Sequence, residues 1–248
     1  MSGEHLKLTG EERLILVRAK VQRARKHLRD LEAELGAFRD RSMTIASGPR
    51  DNQGVVRGPY TLHDLPVIPI DALTAAGDVV HNLRSALDHL AYQLAIVGSP
   101  GAEPGRQVEF PIAKDLATYE SDKPRKVKGM RPEAVRAIDL LKPYHGGTEA
   151  FWRIHELNNI DKHRMLFSIG RDVLLDADWI GEHPYRLKRG DPPFIGVFES
   201  AVEKEIDLRT SEVFGDPQIL QRNTLLPTLK ELVNFVDEHV RQFRPLLQ

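Results

Sequence analysis

The chain has 248 residues, of which 41% are hydrophobic and 29% are charged, and its formal net charge is -1. The balanced charge excludes a general attraction to nucleic acid or to anionic membranes, so any basic site has to be local. The absence of cysteine excludes disulfides, thiolate catalysis and cysteine-based zinc sites, and it fits a cytoplasmic protein. No run approaches the roughly 18 apolar residues of a membrane span, so no membrane association is expected.

The N-terminal segment predicts a long helix over residues 10–40. Thr9 and Glu12 have the spacing of a capping box. After them, apolar residues recur at alternating steps of three and four, as in a coiled-coil seam: Leu14, Val17, Val21, Ala24, Leu28, Leu31, Leu35 and Phe38. A long bundle helix accounts for this seam, and so does a dimerising hairpin. The hairpin alternative would make the protein a homodimer.

Short strands are predicted at Met43–Ala46 and Val55–Arg57, on either side of a Gly-Pro turn. A second long helix follows over residues 71–97. Its apolar face consists of Ala76, Val79, Val80, Leu83, Leu87, Leu90 and Leu94. The rest of its surface consists of Asp78, His81, Asn82, Arg84, Ser85, Asp88, His89 and Tyr92. A solvated helix face is mostly Lys and Glu, so this composition indicates a polar interface or an active site.

Residues 98–131 are predicted to be mostly loop because four prolines disfavour a long helix there: Pro100, Pro104, Pro111 and Pro124. Within this loop, the run from Lys123 to Arg131 has five positive charges and no acid. A flexible surface loop accounts for the run. The alternative interpretation is an RNA contact in which Lys126 and Lys128 bind the phosphate backbone.

A third helix is predicted over residues 149–164. Asn158 and Asp161 share a stripe with Ile154 and Leu157, so they need polar partners if the stripe is buried. The preceding long helix offers three such partners: His81, Asn82 and Arg84.

The last third alternates apolar and polar residues between Gly- and Pro-rich turns, which predicts a β-rich segment over 165–210. A C-terminal helix is predicted over 224–244. Together these elements predict one α+β domain spanning 1–248, mainly a helical bundle with a small antiparallel β-sheet.

The segment Asn82–His89 contains Arg84 and His89 in an Arg-x4-His spacing on a helix. It resembles the signature of the HEPN superfamily, many members of which are metal-independent endoribonucleases of toxin–antitoxin or phage-defence systems that act as homodimers. The resemblance implies that Arg84 clamps a phosphate, that His89 is the general acid or base, and that the adjacent Ser85 takes part in binding. Paired with Asn159–Arg164, the segment also resembles an uncharacterised bacterial protein family, which implies no function.

Metal-independent RNA cleavage needs a base, an acid and a cation at the charged phosphorane. Arg84 and His89 point about 140° apart on one helix, so a second helix or a second subunit has to complete the site. His163 is the third catalytic candidate. The binding candidates in the two helices are Asn82, Ser85, Asn158 and Asp161. No cofactor is expected.

Two other functions fit the same residues. Arg84 and Asp88 form an i, i+4 pair, so the polar face can be a structural seam of a non-enzymatic homodimeric binding or assembly protein. Carboxylates and imidazoles on facing helices can also form a metal site, here from His81, Asp88, His155, Glu156, Asp161 and His163. Neither helix has a His-Glu-x-x-His or Glu-x-x-His motif, so no residue is assigned to a metal.

Overall fold

A computed structural model describes the backbone of residues 8–41, 45–47, 60–63, 68–164, 169–174, 194–195, 206–207, 209–214 and 223–248. Side chains are described for residues 8–39, 68–162 and 223–248. The predicted strand Val55–Arg57 and much of the predicted β-rich segment 165–210 lie outside the described residues.

The described residues form α1 (Gly10–Arg41), α2 (Ile70–Gly98), α3 (Leu116–Lys126), α4 (Pro132–Leu141), α5 (Glu149–Arg164) and α6 (Leu225–Gln242), and the 3-10 helix Arg244–Leu247 ends the chain. The sequence predicts bounds of 10–40 for α1, 71–97 for α2, 149–164 for α5 and 224–244 for α6.

The strands, for which only the backbone is described, are two to six residues long. They are β1 (Ile45–Ser47), β2 (Tyr60–His63), β3 (Ile169–Leu174), β4 (Phe194–Ile195), β5 (Ile206–Asp207) and β6 (Arg209–Phe214). Antiparallel pairing joins them in the order β4-β2-β1-β5 and, separately, β3-β6. In the second pair, Ile169 lies opposite Phe214.

The predicted α+β class is wrong for the part of the chain that is described with its side chains. Of those residues 76% are helical. The helical residues belong to six helices, and no residue described with its side chain lies in a strand. The alternating pattern that predicted a packed sheet lies in segments without described side chains. This part of the chain is therefore helical, and its helices position most of the residues considered below.

The chain divides into two compact units. The helical unit consists of Met1–Arg29, Thr74–Leu166 and Pro227–Gln248, and the second unit consists of Asp30–Leu73 and Phe167–Leu226. The single domain spanning 1–248 stays a prediction.

A capping box starts α1. The backbone N–H of Thr9 donates to Oε2 of Glu12 at 2.7 Å, and the N–H of Glu12 donates to the Thr9 hydroxyl at 3.2 Å. The seam residues that α1 contributes to the helical unit are buried: Leu14, Val17, Val21, Ala24 and Leu28. Because a single chain already covers this seam, the predicted homodimer has to use another surface.

In the helical unit, the apolar faces of α2 and of α6 are both buried. Phe110, in the loop after α2, is fully buried and stacks on Phe151 of α5 with 5.4 Å between the ring centroids. This aromatic pair fixes the loop backbone beside the polar face of α2.

Residues 98–131 are mostly loop, as predicted, but they also contain the 11-residue helix α3, which the sequence did not predict. Asp115 caps this helix, since its side chain accepts a hydrogen bond from the Thr118 N–H at 2.7 Å. Pro124 lies only in the last turn and therefore does not prevent the preceding turns from forming. Half of the basic run is thus helix end, not loop.

Candidate functional site

Charged residues from α2, α3, α5 and the loop after α2 form a cluster that we call the Arg84 cluster: Arg84, Asp88, Glu109, Lys126 and His155. Only 5% of the Arg84 side chain is exposed. Its Nη2 donates to the Phe110 carbonyl at 3.1 Å. The same nitrogen lies 2.9 Å from Oδ1 of Asp88 and 3.5 Å from Oε2 of Glu109.

Asp88 completes a connection between α2 and the loop. Its Oδ1 accepts a hydrogen bond from the Phe110 N–H at 3.1 Å, while Arg84 binds the carbonyl of the same residue. Burial raises the pKa of Asp88, and the Arg84 charge opposes that rise. The pair therefore satisfies the buried Phe110 N–H and gives the Phe110 carbonyl a second donor beside the Ile112 N–H, which lies at 2.8 Å.

Lys126 extends the cluster to the end of α3. Its Nζ lies 3.0 Å from Oε1 of Glu109, and 8% of its side chain is exposed. Burial alone would raise the pKa of Glu109, but the hydrogen bond and charge of Lys126 and the charge of Arg84 hold it below its usual value. Lys126 is thus part of an internal ion pair, which does not fit its predicted role as an RNA contact, whereas Lys128 is exposed.

His155 brings α5 into the cluster. Burial and the Arg84 and Lys126 cations lower its pKa from 6.5 to about 4. Its Nδ1 and the Nη1 of Arg84 are both buried, and neither has a hydrogen-bond partner among the described residues. A histidine with so low a pKa is neutral near pH 7, so it is poorly suited to exchange protons with a substrate there.

A second group of polar residues lies nearer the start of α2. His81 Nδ1 lies 3.3 Å from Oδ1 of Asn158, which is 2% exposed. Asp161 approaches α2 so closely that a Cβ added at Gly77 would overlap its carboxylate. Burial raises the pKa of Asp161, and the nearby Asp78 carboxylate adds to that rise. Asn158 thus pairs with His81, one of the three α2 residues proposed from the sequence.

The predicted catalytic residues do not converge in the described structure. Arg84 is buried, whereas His89 is exposed on another side of α2. Burial, followed by the charge of Lys20, lowers the pKa of His89. The predicted catalytic residue His163 lies in α5, but its side chain is outside the described residues.

The remaining α2 candidates have local roles. Asn82 is buried and donates to the backbone carbonyl of Asp78 at 2.8 Å, within its own helix. Ser85 is half-buried. Neither has a described contact that identifies a substrate.

The hypothesis of a metal site has no support from the residues whose side chains are described. No three residues of the His, Cys, Asp and Glu types are grouped there so that they could hold a metal ion. The candidate metal ligands are divided between two groups. His81 and Asp161 belong to the polar group near the start of α2, whereas Asp88 and His155 belong to the Arg84 cluster.

Sequence reasoning missed Glu109, Phe110 and Gly77. Glu109 and Phe110 lie in an aperiodic loop, so no pattern placed them against α2. Gly77 did carry a signal, because glycine inside a long helix is unfavourable and therefore often marks a close approach.

Comparison of the chain with protein-family models, with curated proteins and with solved structures gave no match. In the described residues, no helix combines the length and the apolar character that crossing a membrane requires.

Proposed function

We propose that the chain is a non-enzymatic binding or assembly protein in which the polar face of α2 is a structural seam. The observation that carries the proposal is the environment of Arg84, whose nearly buried guanidinium faces two carboxylates and a backbone carbonyl. The homodimeric state and the cytoplasmic location rest on the sequence alone and remain predictions.

The seam has a contact at each end of the polar face. Asn158 and Asp161 of α5 lie against the first half of α2, at His81 and Gly77. Arg84 and Asp88 bind the backbone of Phe110 farther along the helix. The polar groups that are paired here favour one register of the helices, because another register would break these pairs. Two buried atoms of the seam, Arg84 Nη1 and His155 Nδ1, have no described partner.

A catalytic role fits this geometry less well. An arginine that stabilises a transition state has to direct donors at the substrate. The Nη2 of Arg84 already faces Phe110, Asp88 and Glu109, and its Nη1, which has no described partner, is buried. The HEPN-like ribonuclease, with Arg84 as clamp and His89 as acid or base, therefore remains a prediction that needs groups from a second subunit.

The experiment that separates these functions is incubation with mixed RNA in EDTA. We expect intact RNA with the wild-type protein and with His89→Ala, because no described group pairs with His89 to form an acid–base site. His145→Ala, which changes another exposed histidine, is the matched control. Metal-independent cleavage that His89→Ala loses and His145→Ala retains would overturn the non-enzymatic proposal.

A further inference from the structure

The structure separates the basic run between Lys123 and Arg131 into internal and exposed cations. Lys123 lies 2.8 Å from Oδ1 of Asp139, and Lys126 pairs with Glu109 at 3.0 Å. The other three cations are exposed and form no ion pair with a described carboxylate: Arg125, Lys128 and Arg131.

A fourth exposed cation, Arg106, belongs to the same end of the helical unit. It lies three residues before Glu109, whose backbone N–H donates to the Lys126 carbonyl at 3.2 Å. That bond places the loop of Arg106 beside the end of α3. We call Arg106, Arg125, Lys128 and Arg131 the basic end.

The turn that carries these cations is fixed against the end of α2. The Ser99 hydroxyl donates to the Gly129 carbonyl at 3.1 Å. Gly129 has a φ of +89°, which favours glycine, and a Cβ at Gly98 would overlap the backbone at Gly129 and Arg131. The cations therefore extend from a backbone held in one conformation, so less order has to be imposed when they bind a partner.

The surroundings favour a polyanion over a lipid surface. The exposed acids close in sequence to the basic end are Glu103, Glu120 and Glu133. Glu133 pairs with Arg136 at 3.1 Å, and the charge of Arg131 also acts on it. The large exposed apolar side chains of the described residues lie elsewhere in the chain: Ile15, Leu16, Ile70, Leu116 and Leu140. A membrane-binding surface usually adds apolar anchors to its cations.

We infer that the basic end binds nucleic acid through its phosphate backbone, without reading the bases. This inference goes beyond the proposed structural seam. Lys126 is not among the binding residues, because it pairs internally with Glu109. The binding is electrostatic, so its affinity falls as salt rises, with a slope set by the number of phosphates neutralised.

The test is fluorescence anisotropy of the full chain with a short labelled RNA of mixed sequence, measured over a salt series. We expect the triple variant Arg125→Gln/Lys128→Gln/Arg131→Gln to bind at least about tenfold more weakly at low salt. The steepness of its plot of log affinity against log salt should decrease by about 2, because each lost contact to a phosphate of a single strand removes roughly 0.7 from the slope.

The matched control changes the charge equally at three exposed cations elsewhere: Arg23→Gln, Arg29→Gln and Lys142→Gln. It should bind RNA almost as the wild type does. The inference is overturned if the wild type does not bind, if both triple variants weaken binding equally, or if the protein binds phosphatidylserine vesicles and not RNA. Each of these failures leaves the proposed seam untouched, because unfolding measurements test the seam.

Discussion

Replacing Arg84 with alanine is expected to lower the free energy of unfolding by at least about 3 kcal/mol, as for other buried ion pairs that lose one partner. The variant leaves the carboxylates of Asp88 and Glu109 without their shared cation. It also removes one of the two donors of the Phe110 carbonyl, which keeps the Ile112 N–H at 2.8 Å. In a chain of this size, the melting temperature should fall by about 6–12 °C. Thermal unfolding followed by circular dichroism measures the shift.

Arg136→Ala is the matched control, because Arg136 is exposed and its one ion pair among the described residues is with Glu133 on the same helix turn. Its effect should stay within about 0.5 kcal/mol. Arg84→Lys should not restore the wild-type stability, since a single ammonium cannot reproduce the planar geometry of the guanidinium. A melting temperature of Arg84→Ala equal to that of Arg136→Ala would count against the seam.

Gly77→Ala is expected to destabilise the protein by about 1–3 kcal/mol, although alanine is the better helix former, because overpacking displaces neighbouring groups. The added Cβ would overlap the Asp161 carboxylate. Gly36→Ala provides the comparison, since no described atom beyond the helix's own backbone lies within 4 Å of a Cβ at that position of α1. That variant should gain up to about 1 kcal/mol from helix propensity. Urea unfolding of both variants measures the two opposite changes.

Asp161→Ala removes the group that the new methyl displaces. The double variant Gly77→Ala/Asp161→Ala should therefore lose less stability than the sum of the single variants, because the two sites are in contact. Strict additivity would show that α5 does not pack on α2 at Gly77, whatever the size of the individual losses.

The sequence predicted the long helices because their apolar residues follow the helical period over many turns. It also indicated that Asn158 needs a polar partner from α2, because a polar side chain on a buried stripe has to be paired and α2 offers polar side chains. His81 meets that requirement. Such arguments succeed when the local pattern and the final packing favour the same arrangement.

The contacts of Arg84 could not be predicted in the same way. Its position on α2 fixes the direction of the side chain, but Glu109 and Phe110 reach it from an aperiodic loop whose path depends on the packing of Phe110 against Phe151. The spacing to His89 suggested catalysis, and only tertiary packing shows Arg84 to be buried. The run of cations was likewise read as one loop, although Lys126 pairs internally.

The most direct test of the seam is the pKa of His155, measured by NMR, with its resonances assigned by their loss in His155→Gln. If α5 lies against Arg84 and Lys126, the ring titrates at about 4. This pKa is lower in the folded protein than the ordinary value of 6.5 expected in the unfolded protein. The free energy of unfolding should therefore decrease progressively as the pH falls from 6.5 to about 4. A ring that titrates at the ordinary 6.5 would show that solvent reaches it, and would contradict a closed seam between α2 and α5.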